Sequence, residues 1–232
     1  LTLEAGEQII AQFNCQACHK IKGEGWAIKD SVLQWLIEYQ GKPEEEAETL
    51  VEAFTPPDVY GIGKKLNPQW LFNFLHQPEQ KIRPWLKVRM PTYNFNVDHL
   101  NQLVEYFQIL DKSAYSYNHK VDYSLTSTEF EAAATLFGSS EKGLDCMLCH
   151  VVGNKMPSGT EDSWAPNLLL AKERVDPYWL IEWLKNPAAL VPGTAMPQFW
   201  DPNDTTEPAP DAILGGDAEY QIRVLRNYLM TF

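Results

Sequence analysis

The sequence is poor in positive charge and has no long apolar run. Its 232 residues contain 19 lysines and arginines but 31 aspartates and glutamates, which leaves a formal net charge of −12 with histidine neutral. Because an acidic chain repels phosphate, nucleic acid is excluded as a partner class. No apolar stretch approaches the roughly 20 residues that cross a bilayer as a helix. We therefore predict no membrane span in this chain.

Two further absences concern the N-terminus and β-structure. Residues 1–4 lack the basic start and apolar stretch of a secretory signal, so we interpret the chain as a mature or trimmed product. No segment alternates apolar and polar residues over any length, as half-buried strands do. Apolar residues recur instead at helical spacing, as at Leu100, Leu103, Val104 and Phe107. The predicted fold class is all-α.

Cysteine is scarce, and its four copies fall into one repeated pattern. Residues 15–19 read Cys-Gln-Ala-Cys-His, and residues 146–150 read Cys-Met-Leu-Cys-His. The pattern C-x-x-C-H is typical of covalent attachment of a c-type haem, because two thiols and one imidazole then address one rigid macrocycle. The sequence thus predicts two covalent haems c. The attaching cysteines and the iron-ligating histidines are Cys15, Cys18, Cys146, Cys149, His19 and His150.

Two other chemistries use paired cysteines, namely a shared zinc site and a set of disulfides. Zinc sites of this kind usually separate their cysteine pairs by roughly 15–20 residues. Here Cys15 and Cys146, the first cysteines of the two pairs, are 131 positions apart. Neither alternative explains a histidine directly after each pair. Haem attachment is the favoured interpretation, and the other two stay open.

An internal repeat divides the chain. Residues 57–78 and 166–187 align without a gap and are identical at six positions. In both copies Asn or Asp precedes Pro at a predicted helix start, which suits an N-cap and a first turn. The identical pairs are Pro57/Pro166, Pro68/Pro177, Trp70/Trp179, Leu71/Leu180, Leu75/Leu184 and Pro78/Pro187.

The repeat predicts two tandem domains. The first spans residues 1–112 and includes an inserted helical and acidic segment at about 28–54. A linker spans residues 113–127, which are polar and have no helical periodicity. The second domain spans residues 128–232.

Each predicted domain offers one methionine as a second iron ligand. The dipeptide Met-Pro occurs at Met90 and Met196, at comparable places after the repeated helices. A thioether opposite histidine raises the reduction potential of haem iron, although methionine also fills gaps in cores. We predict Met90 and Met196 as ligands. Met156 follows His150 by six residues, which reach about 20 Å when extended, too short to pass around a porphyrin.

The repeated block also supplies residues that could surround the haems. A ligating imidazole usually donates its other N–H to a carbonyl or a carboxylate. The backbone carbonyls of Pro57 and Pro166 are candidates, since they lie between the histidine and the methionine of each half. Trp70 and Trp179 are predicted to pack near the haems, although core packing explains them nearly as well.

This order of features resembles class I cytochrome c: a helix, C-x-x-C-H, a proline-containing loop, a Trp-Leu helix, Met-Pro and a final helix. It occurs twice and covers nearly all of the chain. The resemblance implies two tandem helical domains, each wrapped around one covalent haem with one exposed edge. It also implies a periplasmic or equivalent extracytoplasmic location, reached by a signal sequence absent from this chain. The insertion in the first domain departs from the pattern.

The expected function is transfer of single electrons between a donor and an acceptor protein, with no catalysis by the chain itself. The chain is expected to act free, as a homo-oligomer or as the haem subunit of a larger oxidoreductase. The alternative is a dihaem peroxidase-type enzyme, which needs one displaceable iron ligand. A basic run before Met90 is predicted to frame the first haem's edge and steer an acidic partner. It consists of Lys81, Arg83, Lys87 and Arg89.

Overall fold

The computed structural model describes residues 2–78, 82–112, 121–140, 142–200 and 213–232. The described residues are mostly helical, which confirms the helical character of the predicted fold. Within these ranges, no helix combines the length and the apolar character that crossing a membrane requires.

The chain divides into two compact units. The first comprises Leu1–Tyr115 together with Thr160–Trp164, and the second comprises Ser116–Gly159 together with Ala165–Phe232. Residues 113–120, which belong to the predicted linker, lie outside the described residues. The domain limits inferred from the repeat stay a prediction.

The first unit contains six α-helices among its described residues. In chain order they are α1 (Thr2–Gln12), α2 (Ile28–Glu38), α3 (Glu44–Phe54), α4 (Ile62–Lys65), α5 (Pro68–His76) and α6 (Val97–Leu110). Two strands, β1 (Lys20–Ile21) and β2 (Glu24–Gly25), pair in antiparallel fashion directly after the first haem motif. The sequence did not predict them, because two residues are too few to show alternation.

Helices α1 and α6 pack against each other in the core of the first unit. Ile10 of α1 is buried in the same cluster as Leu103 and Phe107 of α6. Where the helices meet, Gly6 leaves space for the buried ring of Tyr106, and a Cβ at Gly6 would overlap that ring. Close approach of the two helices therefore depends on glycine at position 6.

The inserted segment of the first unit forms a pair of contacting helices, α2 and α3. The pair has a small core of its own, made of Val32, Leu36, Ala47, Leu50 and Val51. The acidic run Glu44–Glu46 forms the first turn of α3. Carboxylates are favourable there because the N-terminal end of a helix carries partial positive charge.

The second unit contains five α-helices among its described residues. They are α7 (Ser127–Phe137), α8 (Ala171–Arg174), α9 (Pro177–Lys185), α10 (Pro187–Leu190) and α11 (Ala218–Leu229). Helices α7 and α11 contact each other and bury Leu136, Ile222 and Leu225. Thr126 and Glu129 form a capping box at the start of α7, in which each side chain accepts from the other residue's amide.

The repeated block begins a helix in the same way in both units. The Asn67 side chain caps α5 and the Asp176 side chain caps α9, each by accepting from two backbone amides. Pro68 and Pro177 are the first helical residues, as predicted. The structure therefore confirms both helix starts that were predicted from the sequence.

We expect Gly6→Ala to lower the free energy of unfolding by about 1–3 kcal/mol, the usual cost of overpacking a core. Alanine is the better helix former, so a net loss would show that overlap with Tyr106 outweighs propensity. Urea unfolding measures the change. Gln8→Ala, at an exposed position of the same helix, is the control. Equal stability of the two variants would contradict the close helix approach.

Candidate functional site

The two C-x-x-C-H motifs adopt the same local structure. Cys15–Ala17 and Cys146–Leu148 each form a 3-10 turn. In both turns the histidine amide donates to the carbonyl of the first cysteine at 2.9 Å. The residue before each turn is left-handed, with φ of 50° at Asn14 and 46° at Asp145. Asn and Asp tolerate this conformation better than other side chains with a Cβ.

Each motif histidine is oriented by a proline carbonyl. Nδ1 of His19 lies 2.9 Å from the carbonyl oxygen of Pro57, and Nδ1 of His150 lies 2.8 Å from that of Pro166. A carbonyl oxygen can only accept, so Nδ1 carries the proton in both rings. The lone pair of Nε2 is then available to a metal. The hydrogen bonds suggested by the repeat are present in both units, while the role of the prolines toward haem stays a prediction.

The protonation of these groups follows from burial. Burial lowers the pKa of the His19 imidazole, and the hydrogen bond to Pro57 opposes this with a smaller effect. The ring is therefore held in its neutral form, which is the form that binds metals. Burial also raises the pKa of Cys15 and raises that of Cys146 to about 12. These thiols are protonated at neutral pH.

The four cysteines are half-buried and form no disulfide. Throughout the described part of the chain, no three His, Cys, Asp or Glu side chains are gathered as a metal ion would require. Each motif instead offers two thiols and one oriented imidazole from a single turn. This donor set fits a haem c, which needs two thioether bonds and one nitrogen ligand.

The two predicted methionine ligands lie in the units of their predicted histidines. Met90 is half-buried against the core of the first unit, and Met196 is half-buried against the core of the second. Partial burial against a core is compatible both with iron ligation and with gap filling. Ligation by these two thioethers stays a prediction.

The two tryptophans at matched positions form matched aromatic pairs. Trp70 stacks on Phe74, with ring centroids 5.0 Å apart and planes 14° apart. Trp179 stacks on Trp183, with 5.0 Å and 16°. Both tryptophans pack with the core of their own unit. Contact of either ring with a haem stays a prediction.

Tyr93 lies near the first haem motif, a nearness that the sequence did not predict. Burial raises the pKa of its hydroxyl, and the thiols of Cys15 and Cys18 add to this rise. Its ring is 5.6 Å from that of Phe13, the residue two positions before Cys15. The sequence feature that could have indicated this nearness is the position of Tyr93, three residues after the predicted ligand Met90.

The described residues of the predicted basic run differ in their exposure to solvent. Lys87 and Arg89 are exposed. Arg83 is half-buried and donates through Nη2 to the carbonyl of Thr55 at 2.9 Å, and the role of the run in steering a partner stays a prediction. Lys81 lies outside the described residues.

Comparison with known proteins bears on the first of the two motifs. The family model described as Cytochrome c matches residues 3–111, a range that contains the first motif, Pro57 and Met90. No curated protein and no solved structure matches the chain significantly. The match supports a cytochrome c and, with it, haem-based electron transfer through covalently bound haem c.

If each motif carries a haem, as the repeat predicts, the double substitution Cys15→Ser and Cys18→Ser should remove one haem and leave the other, because each turn supplies its own pair of thiols. Intact mass under denaturing conditions counts the haems that remain. The matched variant, Cys146→Ser with Cys149→Ser, should lose the other haem. A wild-type mass equal to that of the bare polypeptide would contradict haem attachment altogether.

Proposed function

We propose that the chain is a dihaem cytochrome c, made of two tandem class I-type domains that pass single electrons between redox proteins. The observation that supports it best is the repetition of one arrangement. In both units a C-x-x-C-H turn presents a histidine whose Nδ1 lies within 2.9 Å of a proline carbonyl. A metal role accounts for both rings being oriented in this way, with Nε2 left available.

In this proposal the cysteines tether each haem, and the chain's remaining residues set its properties. When bound, haem supplies an iron centre that cycles between two oxidation states. The proline carbonyls fix the tautomer and the orientation of His19 and His150, and make the imidazoles more basic ligands. Met90 and Met196 would each supply a second protein ligand to the iron of their unit and so leave no position for a substrate. Neutral thioethers favour the reduced state and raise the potential.

We expect Met90→His to lower the reduction potential of one haem by on the order of 0.2 V, within the roughly 0.8 V range that axial ligands span. Imidazole replaces a softer thioether, so the oxidised state gains relative stability. A potentiometric titration with optical detection measures both couples. Met196→His should lower the other couple alone. Unchanged potentials in either variant would contradict ligation by that methionine.

The same titrated protein distinguishes electron transfer from the peroxidase alternative. Peroxide added with an electron donor should give no steady turnover, because neither iron offers an open position. Sustained turnover by the wild-type protein would favour the enzyme.

A docking surface for the proposed electron transfer lies directly before Met90. Lys87 and Arg89 are exposed there in a chain of net charge −12, so they form a local region of opposite sign. Such a region steers the approach of an acidic redox protein.

We also propose that the protein is located in the periplasm or an equivalent extracytoplasmic compartment, where c-type haem is attached in bacteria. Size-exclusion chromatography of native material separates a free carrier from an oligomer or a complex subunit.

We expect Lys87→Glu to slow association with an acidic redox protein by about tenfold at low salt, because steering depends on complementary charge. Stopped-flow electron transfer at several ionic strengths measures the rate and its salt dependence. Lys172→Glu, an equal change of charge at an exposed position of α8, is the control. A wild-type rate that is indifferent to salt would rule out steering.

A further inference from the structure

The backbone that leaves α3 accepts hydrogen bonds from four different side chains. We call residues 53–57 the acceptor strip. Four of its five carbonyls receive a donor from elsewhere in the first unit. These bonds run from Trp85 Nε1 to Ala53 O at 3.1 Å, from Arg83 Nη2 to Thr55 O at 2.9 Å, from Trp26 Nε1 to Pro56 O at 2.9 Å, and between His19 Nδ1 and Pro57 O at 2.9 Å.

The four donors come from the two segments that carry the proposed iron ligands. His19 is itself the nitrogen ligand, and Trp26 follows it by seven residues. Arg83 and Trp85 lie seven and five residues before Met90. The acceptor strip is therefore hydrogen-bonded both to the segment that carries His19 and to the segment that leads to Met90.

The acceptor strip is well suited to hold other segments in place. Pro56 and Pro57 fix their own φ angles and need no partner for an N–H. Thr55 is 0% exposed, and its hydroxyl donates to the carbonyl of Glu52. The carbonyls at a helix C-terminus lack partners within the helix and carry partial negative charge. The guanidinium of Arg83 supplies both a donor and a compensating positive charge.

The methionine segment meets the inserted helices through an apolar contact and beside an open pocket. Val88 packs against the small core of α2 and α3. Beside this contact lies a pocket of about 280 Å³ that opens to solvent and is lined by Trp35, Phe54 and Val88 among others. Since incomplete packing leaves room for displacement, the hydrogen bonds of Arg83 and Trp85 gain importance for the position of this segment.

We propose that Arg83 and Trp85 are positioning residues that hold the Met90 segment on the acceptor strip. The strip also orients His19, so one rigid stretch fixes both axial ligands relative to each other. The α2–α3 insertion thus acts as a brace that keeps Met90 on the iron of the first haem. This inference rests on the proposed His/Met ligation. In the second unit Pro166 follows His150 by only 16 positions, compared with 38 between His19 and Pro57, so no insertion like α2–α3 fits between them. The second haem therefore serves as an internal reference for the first.

The test uses the dihaem protein and measures how fast added imidazole displaces methionine from each ferric iron. The variants are Trp85→Phe, which keeps a ring but loses the N–H, and Arg83→Met, which loses the charge and the donor. Each should accelerate displacement at the first haem by about fivefold, the effect of losing one ordinary hydrogen bond. The second haem should exchange at the wild-type rate. Arg83→Lys retains a donor and should restore most of the wild-type behaviour.

Two controls separate positioning from loss of stability. Gly6→Ala weakens the first unit away from the acceptor strip, and Trp200→Phe removes a comparable buried indole bond, Nε1 to Gln221 Oε1 at 2.9 Å, from the second unit. Neither should accelerate displacement at the first haem. If Trp85→Phe does not fold, the displacement rate of Arg83→Met alone decides the test.

The outcomes distinguish this inference from the proposed function. The reduced wild-type protein should show two ring-current-shifted methionine methyl resonances, one of which disappears in Met90→Ala. If both resonances are present and the Arg83 and Trp85 variants exchange methionine at the wild-type rate, the brace is wrong and the dihaem function stands. The same conclusion follows if Gly6→Ala gives equal acceleration. If no resonance belongs to Met90, the proposed ligation fails and the brace fails with it.

Discussion

The contact between a motif histidine and a proline carbonyl is the constraint on which both units depend. It spans 38 positions in the first unit and 16 in the second, yet the two distances differ by only 0.1 Å. The loop that joins the partners is free to vary in length, because only its two ends are held. The fixed geometry lies in the turn that bears the histidine and in the proline that receives its N–H.

That freedom in loop length explains how the first unit accommodates α2 and α3. The insertion starts after Trp26, which bonds to the carbonyl of Pro56, and it returns at Pro57, which accepts from His19. The insertion therefore begins and ends close to residues that are hydrogen-bonded near His19. The added helices bury a small core of their own, against which Val88 also packs. Their C-terminal end then becomes a support for the segment that precedes Met90.

Several features could be predicted from the sequence because they depend on local patterns. The motifs use all four cysteines, the caps at Asn67 and Asp176 precede proline, and the prolines that accept from the histidines stand at matched positions. The family match supports the haem chemistry expected from the first motif. The second motif gives the same turn and the same hydrogen bond in the structure, which is the ground for proposing a second haem.

Other features were not predictable, since they depend on contacts between distant residues. Nothing in the spacing of Arg83 and Trp85 points to the carbonyls of Thr55 and Ala53 some 30 residues earlier, and an arginine in a basic run is ordinarily assigned to the surface. The nearness of Tyr93 to the cysteine thiols likewise depends on the folded path after Met90.

Nuclear magnetic resonance of the reduced holoprotein tests the central claim most directly, by detecting imidazole Nδ1 protons. If each motif histidine binds iron through Nε2 and donates through Nδ1 to a proline carbonyl, two such protons will exchange slowly with water, one for each haem. Fewer than two protected Nδ1 protons would contradict the account, because at least one histidine would then lack the arrangement found in both units.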